Sequence, residues 1–438
     1  MDCHFDNFDF IELKVYDIHG YTKGRLVSSS AFPKIIENGH GLVASLCYKG
    51  IIGQLNAHPY FREAIGHKNV RLYPLLETLM PCQKIVQGDH KIASVLCETR
   101  LSDGTLDSGD PRQAALALLE QLHSEFGLKI KSSFEAEFGI RDSKTDQPFV
   151  NNTKWASTAI MQCAQDFVLD MVKSVTEIGI EIDILMPQLG DGQYKVTFDI
   201  AEGIKAADMT AEFKTASYVY LKMKGFNAEF MACVRPNAGL CHGFHYSFSL
   251  WDADGRNVFV DPEDPSQLSE FGRHWLAGLV KHTPGMTALI SPTINCYRRL
   301  RSVGAPLYAN WALENRGTAF QVRIEPAGNV YIENRLPSSA CSPHLVLAST
   351  LAAGMDGVRR KLPLPQPLDE SIKLPETLEK ALEELEADTL LKEAISPKLV
   401  ELFIHNKRVF EIQEFQTFGE LSDEEMLLKE KDYYYDYC

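Results

Sequence analysis

The chain has 438 residues, 45% of them apolar, enough for one large or two unequal buried cores. Its formal charge of −15 argues against nucleic acid and anionic membrane as partners, because both are polyanions. There is no run of about 18 apolar residues, and Met1–Asn7 lacks the basic segment and apolar core of a secretory leader, so neither a membrane span nor a signal peptide is expected. The ten cysteines are scattered, none in a C-x-x-C pair, and many sit in apolar stretches, which reads as reduced thiols in a cytoplasmic chain.

From Phe8 to about Asp107 the pattern is strand-rich. Phe10–Tyr16 alternates into a turn at Asp17–Gly20, and Ile92–Glu98 runs toward a turn at Asp103-Gly104. Asp110 followed by Pro111 and Gln113 predicts a capping-box helix start, and Gly127 predicts its end. A second helix is expected over roughly 158–177. Ile180–Met186 and Tyr194–Ile200 read as a hairpin around Leu189–Gly192. Near the end, Pro363, Pro365 and Pro367 form a stiff linker. Leu378, Leu382 and Leu385 then recur at helical spacing, with nine acidic against three basic residues between Asp369 and Glu393, as on the solvated face of an amphipathic helix. Tyr433–Tyr435 reads as a biased tail.

Several strands carry a polar stripe, since side chains alternate at period two. Glu135 and Glu137 project opposite Phe134, Ala136 and Phe138. His245, Ser247 and Ser249 oppose Tyr246, Phe248 and Leu250. Between Asn295 and Gly357 the pattern is two strands and a helix, with Gln321 and Arg323 sharing one face and Tyr331, Glu333 and Arg335 sharing another. Any one of these alone is an ordinary strand with a wet side. Together they supply hard oxygen and imidazole donors suited to a divalent metal, and guanidinium forks suited to phosphate and carboxylate.

The blocks LSEFGRHWLAGLVKHTPGMTALISPTINCYRRL, APLYANWALENRGTAFQVRI and IENRLPSSACSPHLVLASTLAAGMDGVRRKL carry a resemblance to glutamine synthetases over nearly the whole chain. The resemblance implies an α+β fold, with a small β-grasp-like domain over 1–107 and a large catalytic-type domain over 108–438 built on a curved antiparallel sheet, or partial barrel, flanked by helices. It also implies ATP, Mg or Mn, and a cytoplasmic homo-oligomer, a dodecamer of two hexameric rings; a further protein partner is left open. By the family pattern one metal falls to Glu135, His245 and Glu333. The substrate carboxylate and the catalytic positions fall to Arg299 and Arg335, and the ATP phosphates to Arg316, Arg323, Ser247 and Ser249.

The second metal should be held by Glu137 and two further glutamates, but Gln188 and Lys195 stand at those positions. Three carboxylates facing a dication leave a net charge of −1, whereas one carboxylate, one amide and one ammonium leave +2. An ammonium about 4 Å from a dication is repelled by roughly 8 kcal/mol at an effective dielectric of 20. Lys195 is therefore expected to pair with Glu137 in place of the ion. Other departures are Cys241-His-Gly243 for the family's G-S-G, Ser247 for a histidine, and Gly304 for a flap glutamate. The expected function is a family member with lost or much reduced ligase activity, acting as a structural, binding or regulatory oligomer. The alternative is an active ligase joining glutamate to ammonia or another amine.

Overall fold

The computed structural model describes residues 4–54, 69–82, 89–150, 155–235, 240–261, 263–264, 267–302, 304–325 and 328–435. β1 (Phe10–Tyr16) and β2 (Thr22–Ser28) form the expected hairpin. Asp17 Oδ1 closes the turn by accepting the N–H groups of His19 and Tyr21, each at 2.9 Å. With α1 (Phe32–Asn38), β3 (His40–Val43), β4 (Asn69–Pro74), β5 (Met80–Pro81) and β6 (Ile92–Arg100) they build a sheet ordered β2-β1-β6-β4-β3, β5 lying on β6. β1 and β6 run parallel.

α2 (Pro111–Phe126) starts where the sequence predicts. Asp110 accepts the Arg112 and Gln113 N–H groups at 2.8 and 3.3 Å, and Gly127 adopts φ 67° at the end. The reciprocal half of the capping box is not made, because the Asp110 N–H donates to the Asp107 carbonyl at 3.1 Å instead.

β7 (Lys129–Asp142) is the spine of a second, barrel-like sheet of nine strands. α3 (Thr158–Thr176) precedes β8 (Ile182–Pro187) and β9 (Gln193–Phe198). Next come β10 (Ala201–Glu202), α4 (Lys205–Met223) and β11 (Phe226–Glu229). A separate ribbon is formed by β12 (Cys233–Arg235) and β13 (Leu240–Cys241). The chain then continues through β14 (Phe244–Trp251), α5 (Glu270–Ile290), α6 (Cys296–Leu300), β15 (Trp311–Leu313), β16 (Phe320–Ile324), β17 (Val330–Asn334) and α7 (Pro343–Arg359). The order is β15-β16-β17-β14-β7-β9-β8, with β10 and β11 also on β7, and all pairs are antiparallel except β15 with β16.

The apolar stripes read from the sequence point into the core: Phe134, Ala136, Phe138, Tyr246, Phe248, Leu250, Val322 and Ile332 are at most 1% exposed. α5 and α7 pack so closely that the Trp275 ring fills the space a Cβ on Gly354 would need. The first sheet is tied to α4 by a buried ion pair, Lys14 Nζ to Glu212 at 2.7 Å.

α8 (Leu378–Ala387) buries Leu378, Leu382 and Leu385 as its spacing predicts. α9 (Thr389–Ile395), α10 (Pro397–Asn406), α11 (Gln413–Gln416) and α12 (Asp423–Tyr434) follow. The tyrosine-rich end packs onto the fold: Tyr434 is fully buried and donates to Glu411 at 2.7 Å. The expectation of reduced thiols throughout is also corrected. Cys233 and Cys241 are joined, while Cys47, Cys97, Cys296 and Cys341 are buried free thiols and Cys82 is half-buried. Among the described residues no helix is long and apolar enough to cross a membrane.

Candidate active site

Strand register assembles the site. On β7, Glu135 stands opposite His245 of β14 on one side and Thr197 of β9 on the other. Glu333 of β17 stands opposite Ser247 and also opposite Gln321 of β16. One face of five strands thus carries Glu135, His245, Glu333 and their neighbours, while the reverse face is core. The ligand atoms of Glu135, His245 and Glu333 all lie within 4.8 Å of one another.

Internal cations already engage these carboxylates. Lys195 Nζ lies 2.7 Å from Glu135 Oε2, and Arg335 Nη1 lies 2.6 Å from Glu333 Oε1. His245 Nδ1 sits between them, 3.5 Å from Glu135 Oε2 and 3.2 Å from Glu333 Oε1. Burial opposes ionisation of both glutamates, yet hydrogen bonding and charge from His245, with Lys195 on Glu135 and Arg335 on Glu333, hold both below the usual carboxylate range. For His245, burial works against the charged form and the two carboxylates overcome it, so its pKa is raised.

The expected partner of Lys195 is corrected. Lys195 is paired with Glu137 in the β7–β9 ladder, but its amine goes to Glu135, the diagonal neighbour on the same face. Such a diagonal is within reach of a long side chain. Glu137 is occupied elsewhere: Oε2 accepts the Gly243 N–H at 2.6 Å and Oε1 accepts from Gln188 Nε2 at 3.1 Å. The substituted second set, Glu137, Gln188 and Lys195, is therefore close together but engaged in internal bonds.

A cavity of about 840 Å³ opens beside this face, lined by Glu137, His245, Arg299 and Arg335 among the anticipated residues. Arg299 is buried and donates to the carbonyls of Leu336 at 2.9 Å and Arg335 at 3.0 Å, so it braces the strand end that carries Arg335. Burial lowers its pKa. Arg335 Nε is buried with no hydrogen-bond partner among the described residues. Arg316, Arg323, Ser247 and Ser249 are not part of this lining. Arg316 is exposed, Arg323 pairs with Glu314 at 3.1 Å, and Ser249 accepts from the Trp251 indole at 2.9 Å.

Sequence reading missed Arg298, Arg301 and Asp423, which also line the cavity. Arg298 had a signal, its place beside Arg299 in a basic run. Asp423 had none, because it arrives from α12 and binds Arg298 Nη1 at 2.6 Å across 125 residues.

The donor set of Glu135, His245 and Glu333 has the chemistry of a divalent-metal site. The second set does not fit a dication, since it offers one carboxylate with both oxygens bonded.

Comparison with known proteins bears on the family and the fold. The family profile described as glutamine synthetase, catalytic domain, matches residues 108–426. The chain is 29% identical to the glutamine synthetase of Methanocaldococcus jannaschii over 442 residues, covering 94% of this chain and 93% of that protein. It is 27% identical to the glutamine synthetase of Thermus thermophilus over 430 residues, covering 92% of each. With lengsin of Rattus norvegicus the identity is 26% over 435 residues, covering 95% of this chain and 74% of lengsin. A crystal structure titled as a novel glutamine synthase homolog superposes with a TM-score of 0.84 at 26% identity, covering 98% of this chain and 99% of that one. A structure titled GmaS/ADP complex gives 0.81 at 25%, covering 95% and 96%. By fold, by the spacing of its polar strand faces and by these matches, the chain belongs to the glutamine synthetase family.

Proposed function

We propose that this family member has lost, or retains only weakly, ATP-dependent ligase activity, and that it works as a homo-oligomer binding an anionic small molecule in its arginine-walled cavity. The observation that carries this reading is the Lys195 amine 2.7 Å from Glu135. A metal seated on Glu135, His245 and Glu333 must displace Lys195 from one carboxylate and Arg335 from another. Both pairs are part-buried, so breaking them carries a cost. Phosphoryl transfer depends on metal ions and guanidinium groups neutralising the phosphates, and here the lysine stands where one of those cations would bind. The four arginines that line the cavity, Arg298, Arg299, Arg301 and Arg335, support an anion as the occupant. Assembly into a dodecamer of two hexameric rings, in the cytoplasm, and division of the chain near residue 107 are part of this proposal.

A second reading, an active ligase using one metal, is favoured by the intact donor triad and by likeness to a structure titled as an ADP complex. The two are separated by measuring phosphate release from ATP with glutamate and ammonia, or with a panel of amines. Release at background is expected. Turnover abolished by Glu333→Ala would overturn the proposal, and light scattering checks the ring assembly.

A further inference from the structure

The β12–β13 ribbon places Cys233 directly opposite Cys241, with Cα atoms 4.1 Å apart and the sulfurs joined. Its two sides differ in how firmly they are held. Cys233 is fully buried, and its N–H and C=O are both clamped by one buried side chain, Asn295, at 2.7 and 2.8 Å. Cys241 is half-buried, lines the large cavity, and has its carbonyl held by Gln193 Nε2 at 3.1 Å. Immediately beyond it, the His242 N–H bonds Ala232 at 2.7 Å and the Gly243 N–H bonds Glu137 Oε2 at 2.6 Å.

We propose that Cys233 and Cys241 form a reversible thiol–disulfide site that sets whether Glu137 is held by the protein or left open to a ligand entering the cavity. Opening the bond removes the covalent tie between the two strands of the ribbon. Cys233 stays clamped by Asn295, so the freedom gained falls on the Cys241 strand. The Gly243 carbonyl is held independently by Ser339 Oγ at 2.9 Å and by the Glu137 N–H at 3.0 Å, so the change concentrates in the N–H groups of His242 and Gly243. Glu137 Oε2 then loses its donor and faces the cavity as a free carboxylate oxygen.

The co-reactant is a dithiol. Its thiolate attacks the accessible Cys241 sulfur, the Cys241–Cys233 bond breaks, and Cys233 leaves as a thiolate that takes up a proton. The second thiol of the reagent attacks its own sulfur in the mixed disulfide, releasing Cys241, which is also protonated. The protein gains two electrons and two protons, and the reagent becomes a cyclic disulfide.

The test uses the full-length protein, air-oxidised or treated with dithiothreitol that is then removed under argon. Peptide mass mapping is expected to find Cys233 linked to Cys241 in the oxidised sample. Reduction should speed hydrogen exchange of the Gly243 amide at least tenfold and raise carbodiimide labelling of Glu137 several-fold. The Cys233→Ser, Cys241→Ser double variant should behave as the reduced protein under both conditions. Absence of the link in oxidised protein, or exchange and labelling that do not change on reduction, overturns the proposal. Neither readout depends on ligase activity, so the outcome is independent of the functional proposal above.

Discussion

Lys195 bonds Glu135, not the Glu137 that faces it across the β7–β9 ladder, and so reaches into the candidate metal-donor set of Glu135, His245 and Glu333. On the functional proposal above, one ammonium weakens two candidate cation sites: it occupies a ligand of the first and adds positive charge to the second. Lys195→Ala removes both effects and leaves Glu135 free. Mn²⁺ affinity measured by calorimetry or paramagnetic resonance should rise at least tenfold, about 1.4 kcal/mol. Unchanged affinity would mean that the lysine is not what excludes the ion.

His282 on α5 bridges two carboxylates, Asp388 from Nδ1 at 2.6 Å and Asp356 of α7 from Nε2 at 2.9 Å, while Arg360 also reaches Asp356 at 3.2 Å. Burial disfavours the imidazolium, but the two carboxylates outweigh it and raise the pKa above 6.5. With the folded value raised, the stabilisation is fully present below the unfolded pKa and is lost as pH rises through the folded one. Thermal melts of the protein and of His282→Gln should therefore differ more at pH 6 than at pH 9. A gap constant across that window would show that the ring does not change its charge between these pH values.

The sheet face was legible because period-two alternation needs no tertiary knowledge: Glu135, His245 and Glu333 each sit in a strand whose other side is mostly apolar and buried. What alternation cannot specify is which of two carboxylates a flexible lysine chooses, since Glu135 and Glu137 lie on the same face within reach of Lys195. Nor does it register backbone donors such as the Gly243 N–H that takes Glu137. The link between Cys233 and Cys241 was invisible because a short ribbon, rather than a spacing motif, brings them together. The ion pair that Arg298 makes was hidden in the same way, its partner Glu430 being 132 residues away.

Glu229 ends β11 at 1% exposure, with Oε1 lacking any hydrogen-bond partner among the described residues. Burial pushes its pKa from 4.5 to about 7, against the opposing charges of Arg141 and Lys431. A raised carboxyl favours folding at low pH, and that contribution disappears as pH climbs from about 4.5 through 7, a change on the order of 3 kcal/mol. Glu229→Gln keeps the shape without the charge. Urea denaturation should find the variant roughly 2 kcal/mol more stable than the parent at pH 8 and nearly equal at pH 4.5. A variant less stable at pH 8 would show that the ionised carboxylate is welcome there.

Glu430 holds the C-terminal helix α12 against the segment that carries the cavity arginines. It is 2% exposed and accepts from Arg298 Nε at 3.0 and 2.7 Å and from Asn295 Nδ2 at 2.7 Å. Removing one partner of a buried ion pair leaves the other charge uncompensated and costs about 3–5 kcal/mol. Asp423 still reaches Arg298 from a largely exposed position, so Glu430→Ala should fall toward the lower end of that range. Glu430→Gln retains an acceptor for Asn295 and loses only the charge, so its cost should be roughly half as large. Denaturant midpoints of the two variants decide between charge and hydrogen bonding. Equal losses would make the carboxylate charge the whole effect, and a loss below about 1 kcal/mol in both would mean that α12 is held chiefly by its apolar contacts.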